Sequence, residues 1–167
     1  MLGLVEALGL PDCWIGAGFV RNAIWDHLHQ RPPAQLISDV DVIWFDPSRA
    51  GEQEDRRIED NLRQAAPDIS WSVKNQARMH RRNGDARYRS TNDAMRHWPE
   101  TATAVAARRY GEGQCAILAP HGLADLLALR LRPTSSFRGK RHAIFDARVA
   151  AKNWLEMWPK LRLDSAI

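Results

Sequence analysis

The sequence contains only two cysteines, Cys13 and Cys115. They form no Cys-x-x-Cys pair, which excludes a zinc ribbon and a dithiol redox motif. No apolar run approaches the ~20 residues needed to span a bilayer, so no membrane partner is expected. The opening stretch MLGLVEALGL has no basic residue and carries Glu6. It reads as a short amphipathic helix rather than a signal peptide. The expected setting is cytoplasmic, with reduced thiols. A Gly-x-Ser-x-Gly elbow is missing, and no Ser or Cys is evidently partnered by His, so serine- or cysteine-hydrolase chemistry is not supported. No repeat, low-complexity tract or linker divides the chain. One domain over residues 1–167 is expected, long enough to bury a core without staples.

What is present is an ordinary globular composition, 44% apolar, with seven tryptophans against two tyrosines. Tryptophan has a large apolar body and a single donor, so several should form core or pocket walls. Lys plus Arg is 24 and Asp plus Glu is 20, a net charge of +4. That mild excess suits phosphate-bearing ligands and is too small to argue for non-specific nucleic-acid binding.

Helix and strand signals alternate along the first half. Residues 2–9 read as a helix, 13–15 as a short strand stopped by Gly16, and 19–29 as a helix with Val20, Ile24 and Leu28 on one face, ended by Pro32 and Pro33. Residues 37–46 read as a strand, and 51–65 as a charged helix whose inner stripe is Ile58, Leu62 and Ala65. Residues 69–75 alternate as a strand: Ile69, Trp71 and Val73 against Ser70, Ser72 and Lys74. A basic polar segment runs from Gln76 to Arg89, with a turn at Asn83-Gly84-Asp85. Ser90 and Asp93 predict a capped short helix over 90–97. Residues 101–109 and 114–118 read as a hairpin, 122–131 as an apolar helix and 142–157 as the last helix. The expected class is α/β (α+β): a mixed β-sheet flanked by helices.

Two stretches carry chemistry. Ser38-Asp39-Val40-Asp41 places two carboxylates on one strand face. Like charges that close are costly unless a cation sits between them, and Mg²⁺, which also binds substrate phosphates, is the natural partner. Asp-x-Asp alone is common, and two solvated aspartates would account for it. Gly16-Ala17-Gly18 lies between a strand and a helix, where small residues let backbone N–H groups approach an anion. Arg21 follows in the first helical turn and can fork onto a phosphate. A tight packing turn would also explain the glycines. Neither the dinucleotide fingerprint nor a Walker A loop is complete.

Together the two stretches are more specific than either. Gly16-x-Gly18 with Arg21, followed by Asp39-x-Asp41, resembles the nucleotidyltransferase fold of the DNA polymerase β superfamily. Gly18-Phe19-Val20-Arg21-Asn22 is similar to the head motif of tRNA nucleotidyltransferases. WIGAGFVRNAIWD, SDVDVIWFD, WSVKNQARMH, WPETATAVA and APHGLADLLAL resemble a bacterial nucleotidyltransferase-like family across most of the length. The resemblance implies Mg²⁺ held by Asp39 and Asp41, and attack by an acceptor hydroxyl on the α-phosphate of a nucleoside triphosphate. Gly16, Gly18 and Ser38 would hold the phosphates. Arg21 would buttress the pocket or reach a phosphate, and Lys74 is a further candidate phosphate contact.

The superfamily usually adds a third carboxylate from a neighbouring strand, and the 69–75 strand offers only Ser70, Ser72 and Lys74. Glu100 is the candidate base, with Asp93 behind it. The expected function is transfer of a nucleoside monophosphate to an unidentified acceptor, with a small molecule favoured over nucleic acid. The alternative is an inactive nucleotide-binding regulatory or interaction domain. A third reading, RNA binding through Arg78–Arg89, is weaker because a solvated loop explains that segment. An acid joining Asp39 and Asp41 would favour turnover; hydroxyls and Lys74 there would favour binding alone.

Overall fold

The strand and helix signals of the first half are realised as α1 (Leu2–Glu6), β1 (Trp14–Gly16), α2 (Gly18–Leu28), β2 (Val40–Trp44), α3 (Glu52–Ala65) and β3 (Trp71–Asn75). These come from a computed structural model that describes residues 1–32 and 39–164. Pro33, the expected strand start at 37–38, and Ser38 lie outside the described residues. The chain continues through α4 (Met79–Asn83), α5 (Thr91–Met95), β4 (Ala106–Arg109), β5 (Cys115–Leu118), α6 (Ala124–Leu127), β6 (Arg130–Leu131), α7 (His142–Ala151), α8 (Trp154–Met157) and β7 (Arg162–Leu163).

Five strands form one mixed sheet in the order β3-β2-β1-β4-β5. β2 and β3 run parallel, Asp41 beside Ser72, whereas β1 pairs antiparallel with both β2 and β4. Period-two alternation sends Val40, Val42, Trp44, Trp71 and Val73 to one face, where Ile58 and Leu62 of α3 cover them. Asp41, Ser72 and Ile43 therefore take the other face. A second core gathers Trp25 of α2 with Phe145, Trp154 and Trp158. Trp25 meets Trp154 and Trp158 edge to face, with ring centroids 6.0 and 5.1 Å apart. This is an α+β mixed sheet flanked by helices, as the pattern predicts. Among the described residues no helix is long and apolar enough to cross a membrane.

Three local expectations are corrected. The helix expected over 122–131 stops at Leu127, because Leu129 turns to φ +56° and Arg130–Leu131 pairs as a strand with Arg162–Leu163. The last helix breaks at Asn153, φ +49°. Residues 101–105 are not strand but a turn over 101–103 followed by irregular chain, although Ala102, Ala104 and Val105 are buried. Inside the basic segment, α4 forms and ends at Gly84, whose φ of +68° is the left-handed geometry of a helix terminus. The Ser90 cap is present: its hydroxyl accepts from the Asp93 N–H at 3.0 Å.

Candidate active site

The turn from β1 into α2 is built on backbone geometry that side chains resist. Ala17 sits at φ +43°, ψ −106°, and its N–H donates to the Val105 carbonyl at 2.8 Å. That conformation is costly for a residue with a Cβ, and such strain concentrates at functional turns. It points α2 with no side-chain cap and no acid in its first turn. The first N–H groups of α2 thus lack intrahelical partners and present positive potential.

Ala17 and Gly18 line a cavity of about 330 Å³. Asp39 and Asp41 line the same cavity, as do Arg21, Arg148, Lys152, Trp154 and Met157. Asp39 is exposed just before β2, and the Ser70 hydroxyl donates to its Oδ1 at 2.6 Å. Asp41 is half-buried in β2, opposite Ser72. Burial pushes its pKa above the usual carboxylate range, the Ser72 hydroxyl opposes this, and the Asp39 charge adds to it. Ser70, just before β3, and Ser72 within it thus support the aspartates rather than replace an acid. Two hard carboxylate donors converging on one cavity, one of them charge-stressed, fit a divalent cation such as Mg²⁺.

Arg21 is buried, with its guanidinium 5.2 Å from the Trp25 ring and 4.8 Å from the Trp154 ring. Its Nε and one terminal nitrogen donate to Asn22 Oδ1 at 3.0 and 2.8 Å. Burial lowers its pKa to about 10, while Glu100 and Asp41 hold it up, so the charge survives at neutral pH. Its position is that of a wall strut carrying positive charge.

Four residues expected at the site are placed elsewhere. Gly16 does not line the cavity; a Cβ there would meet Trp98 Cη2 at 3.1 Å and Ile43 Cδ1 at 3.3 Å. It is a packing glycine, and Gly16→Val is expected to cost about 1–3 kcal/mol by overpacking, read as a lower urea midpoint with unchanged slope. Lys74 lines a separate cleft of about 510 Å³ with Asp55, Arg78, Arg81 and Arg82. Glu100 is fully buried off the cavity wall. Its Oε1 accepts from Arg148 Nε at 2.8 Å and its Oε2 from the Thr103 hydroxyl at 2.6 Å. A general base must reach the acceptor's proton, which Glu100 in this position does not. Asp93 caps the approach to α5 through Arg89, also apart from the cavity. Among the described residues no group of three or more His, Cys, Asp or Glu side chains forms a metal site.

Arg148, Lys152 and Trp154 went unrecognised as site residues in the sequence. Arg148 and Lys152 stand at i, i+4 spacing on and just after α7, a pattern that puts both on one face. Nothing local ties that face to an Asp-x-Asp a hundred residues earlier. In the basic segment, Arg78 pairs with the buried Asp55 and Asn75 caps β3, its side chain bonded to Asp46, Arg49 and Ala77 backbone groups. Those are structural duties.

Among solved structures, the chain is similar to one determined by NMR and described as a CCA-adding enzyme head domain. The two share 38% identity at a TM-score of 0.87, covering 99% of this chain and 87% of that one. More distant likenesses show the fold alone. The Thermotoga maritima CCA-adding enzyme complexed with tRNA has 12% identity and a TM-score of 0.60, covering 98% of this chain and 37% of that one. The Bacillus stearothermophilus CCA-adding enzyme in complex with CTP has 17% identity and a TM-score of 0.52, covering 91% and 38%. The chain spans less than half the length of these two. No curated protein matches. A family described as nucleotidyltransferase matches residues 3–163, and the chain belongs to that family.

Proposed function

We propose that the protein transfers a nucleoside monophosphate from a nucleoside triphosphate to an acceptor hydroxyl, with Mg²⁺ bound at Asp39 and Asp41. The observation that carries this is one cavity lined both by two aspartates and by the uncapped start of α2 with Arg21, Arg148 and Lys152. A carboxylate pair alone would suit a cation, and a cationic pocket alone an anion. Both in one cavity suit a polyanion bound together with a metal. Bound there, Mg²⁺ would neutralise charge on the phosphoryl oxygens.

The chain's own residues supply the rest. N–H groups at the start of α2 hold phosphate oxygens, and Gly18 keeps the approach to them open. Arg21, locked by Asn22 and two tryptophans, keeps the wall cationic and rigid. Trp154 and Met157 make an apolar surface that excludes water. In the reaction an oxygen–phosphorus bond forms at the α-phosphorus as the bond to pyrophosphate breaks. The hydroxyl proton passes to solvent or to a group on the acceptor, since no third acid stands beside the aspartates among the described residues. That same feature favours a second reading, a domain that binds nucleotide without turning it over. As acceptor, a small hydroxyl compound and an RNA 3′ end are both chemically competent. Two of the structures similar in fold are described with tRNA and with CTP, so RNA acceptors belong in the test.

The test is a screen of the four nucleoside triphosphates with and without Mg²⁺, read by thermal shift and then by pyrophosphate release, with tRNA and small hydroxyl compounds as acceptors. Binding should stabilise the fold by about 2.7 kcal/mol at a hundredfold excess over Kd. Pyrophosphate release that depends on Mg²⁺ and an acceptor supports transfer. Stabilisation without release supports the binding reading. No stabilisation by any of the four sinks both.

A further inference from the structure

Arg148 has an arrangement that a purely structural ion pair does not need. Its partner Glu100 is fully buried, and the Thr103 hydroxyl fixes the second oxygen of that carboxylate. The contact uses Arg148 Nε, at 2.8 Å. Its two terminal nitrogens have no hydrogen-bond partner among the described residues. The guanidinium also lies 5.6 Å from the Trp154 ring, the ring that Arg21 approaches at 4.8 Å. Arg148 is thus gripped from behind by a carboxylate and flanked by an indole. Its side chain remains 37% exposed and lines the cavity of Asp39 and Asp41. A guanidinium whose rotamer is already fixed loses little entropy when its free edge forks onto a phosphate.

We infer that Arg148 is a triphosphate-contacting residue of this cavity and that Glu100 is its positioning residue, acting through Arg148 and not on the substrate. The inference rests on the proposed nucleotide site and adds to it which cation meets the phosphates and what aims it. Coulomb's law and positioning make opposite forecasts for Glu100→Gln. Removing a negative charge near a polyanion site would tighten binding if charge alone mattered. If Glu100 serves to aim Arg148, the loss of its grip weakens binding. The Gln amide preserves shape and the Thr103 contact, and Arg148→Lys preserves the ion pair with Glu100 while removing the fork. Both variants are therefore expected to fold, which circular dichroism and the cooperativity of unfolding will show.

The experiment is isothermal titration of the full chain with inorganic tripolyphosphate, ATP and adenosine, each with Mg²⁺. Arg148→Lys should weaken tripolyphosphate and ATP at least tenfold and leave adenosine unchanged. Glu100→Gln should weaken the same two ligands by a smaller factor. Where wild-type protein turns over, KM should rise more than kcat falls in both variants, and Glu100→Asp should not restore affinity because its carboxylate is withdrawn from Nε. Wild-type binding with an unchanged Arg148→Lys overturns this inference and leaves the nucleotide site standing. Tighter binding by Glu100→Gln overturns the positioning role. No tripolyphosphate or ATP binding by the wild type overturns the site and this inference together.

Discussion

Asp55→Ala is expected to destabilise the fold by about 3–5 kcal/mol, enough to leave a marginal domain largely unfolded. Asp55 lies on the buried face of α3, three residues before Ile58. Its carboxylate accepts from Trp44 Nε1 at 2.8 Å, from the Asn75 N–H at 3.0 Å to each oxygen, and from Arg78. One side chain thus ties α3 to the ends of β2 and β3 and neutralises a partly buried guanidinium. Truncation strands an indole N–H, a backbone N–H and a positive charge together, and each loses its partner without regaining water. Asp55→Asn should cost less, because the amide oxygen can still accept while the ion pair is lost. Urea titration followed by tryptophan fluorescence checks both, since the buried tryptophans report on global unfolding. A loss below 1 kcal/mol in Asp55→Ala would mean that the network relaxes onto other acceptors.

Asp55 shows where the sequence was readable and where it was not. The stripe of Ile58 and Leu62 predicts α3 and its buried face, yet an acid one turn before that stripe reads as solvated surface. Only the arrival of Arg78 and Trp44 makes it a core residue, and both come from other elements. The same division runs through the candidate site. Asp39-x-Asp41 and the turn at Gly16-Ala17-Gly18 lie within short stretches whose strand and helix signals are strong, and antiparallel pairing of β1 with β2 brings them to the same end of two neighbouring strands. Arg148, Lys152 and Trp154 reach that cavity only because α7 and α8 fold back over α2 through the Trp25–Trp154–Trp158 cluster. In the sequence Glu100 stands just before the expected 101–109 strand, as the candidate base. Its isolated bridge to Pro133 and its burial against Arg148 depend on residues with no local signature. Leu129 and Asn153 stop helices at positive φ, although neighbouring residues keep the apolar spacing of a helix. At Leu129 the tertiary pairing of β6 with β7 overrides that spacing, and propensity does not register it.

Asp39→Asn and Asp41→Asn are each expected to abolish Mg²⁺-dependent nucleotide stabilisation and to lower any turnover about a thousandfold or more, ~4 kcal/mol of barrier. The folds should survive, and for Asp41 the sign can be worked out. Burial, with the Asp39 charge adding, raises its folded pKa above the unfolded value. The folded state therefore holds that proton more tightly. The associated stability is present below the unfolded pKa and is lost as pH rises from there through the folded pKa. Above the unfolded pKa the burial of this carboxyl is therefore a liability that asparagine removes, so Asp41→Asn should melt at or above the wild-type temperature without metal. Asp39 is exposed and its removal empties no packed site, so Asp39→Asn should melt close to wild type. Mg²⁺ and nucleotide should then reverse the order, raising the wild type above both variants. Thermal melts at pH 7 with and without Mg²⁺ and nucleotide read all of these at once. Wild-type stabilisation retained in both variants would place the metal away from Asp39 and Asp41. An Asp41→Asn protein that melts well below wild type without metal would show that the carboxylate stabilises the fold through Ser72 more than burial and Asp39 oppose it.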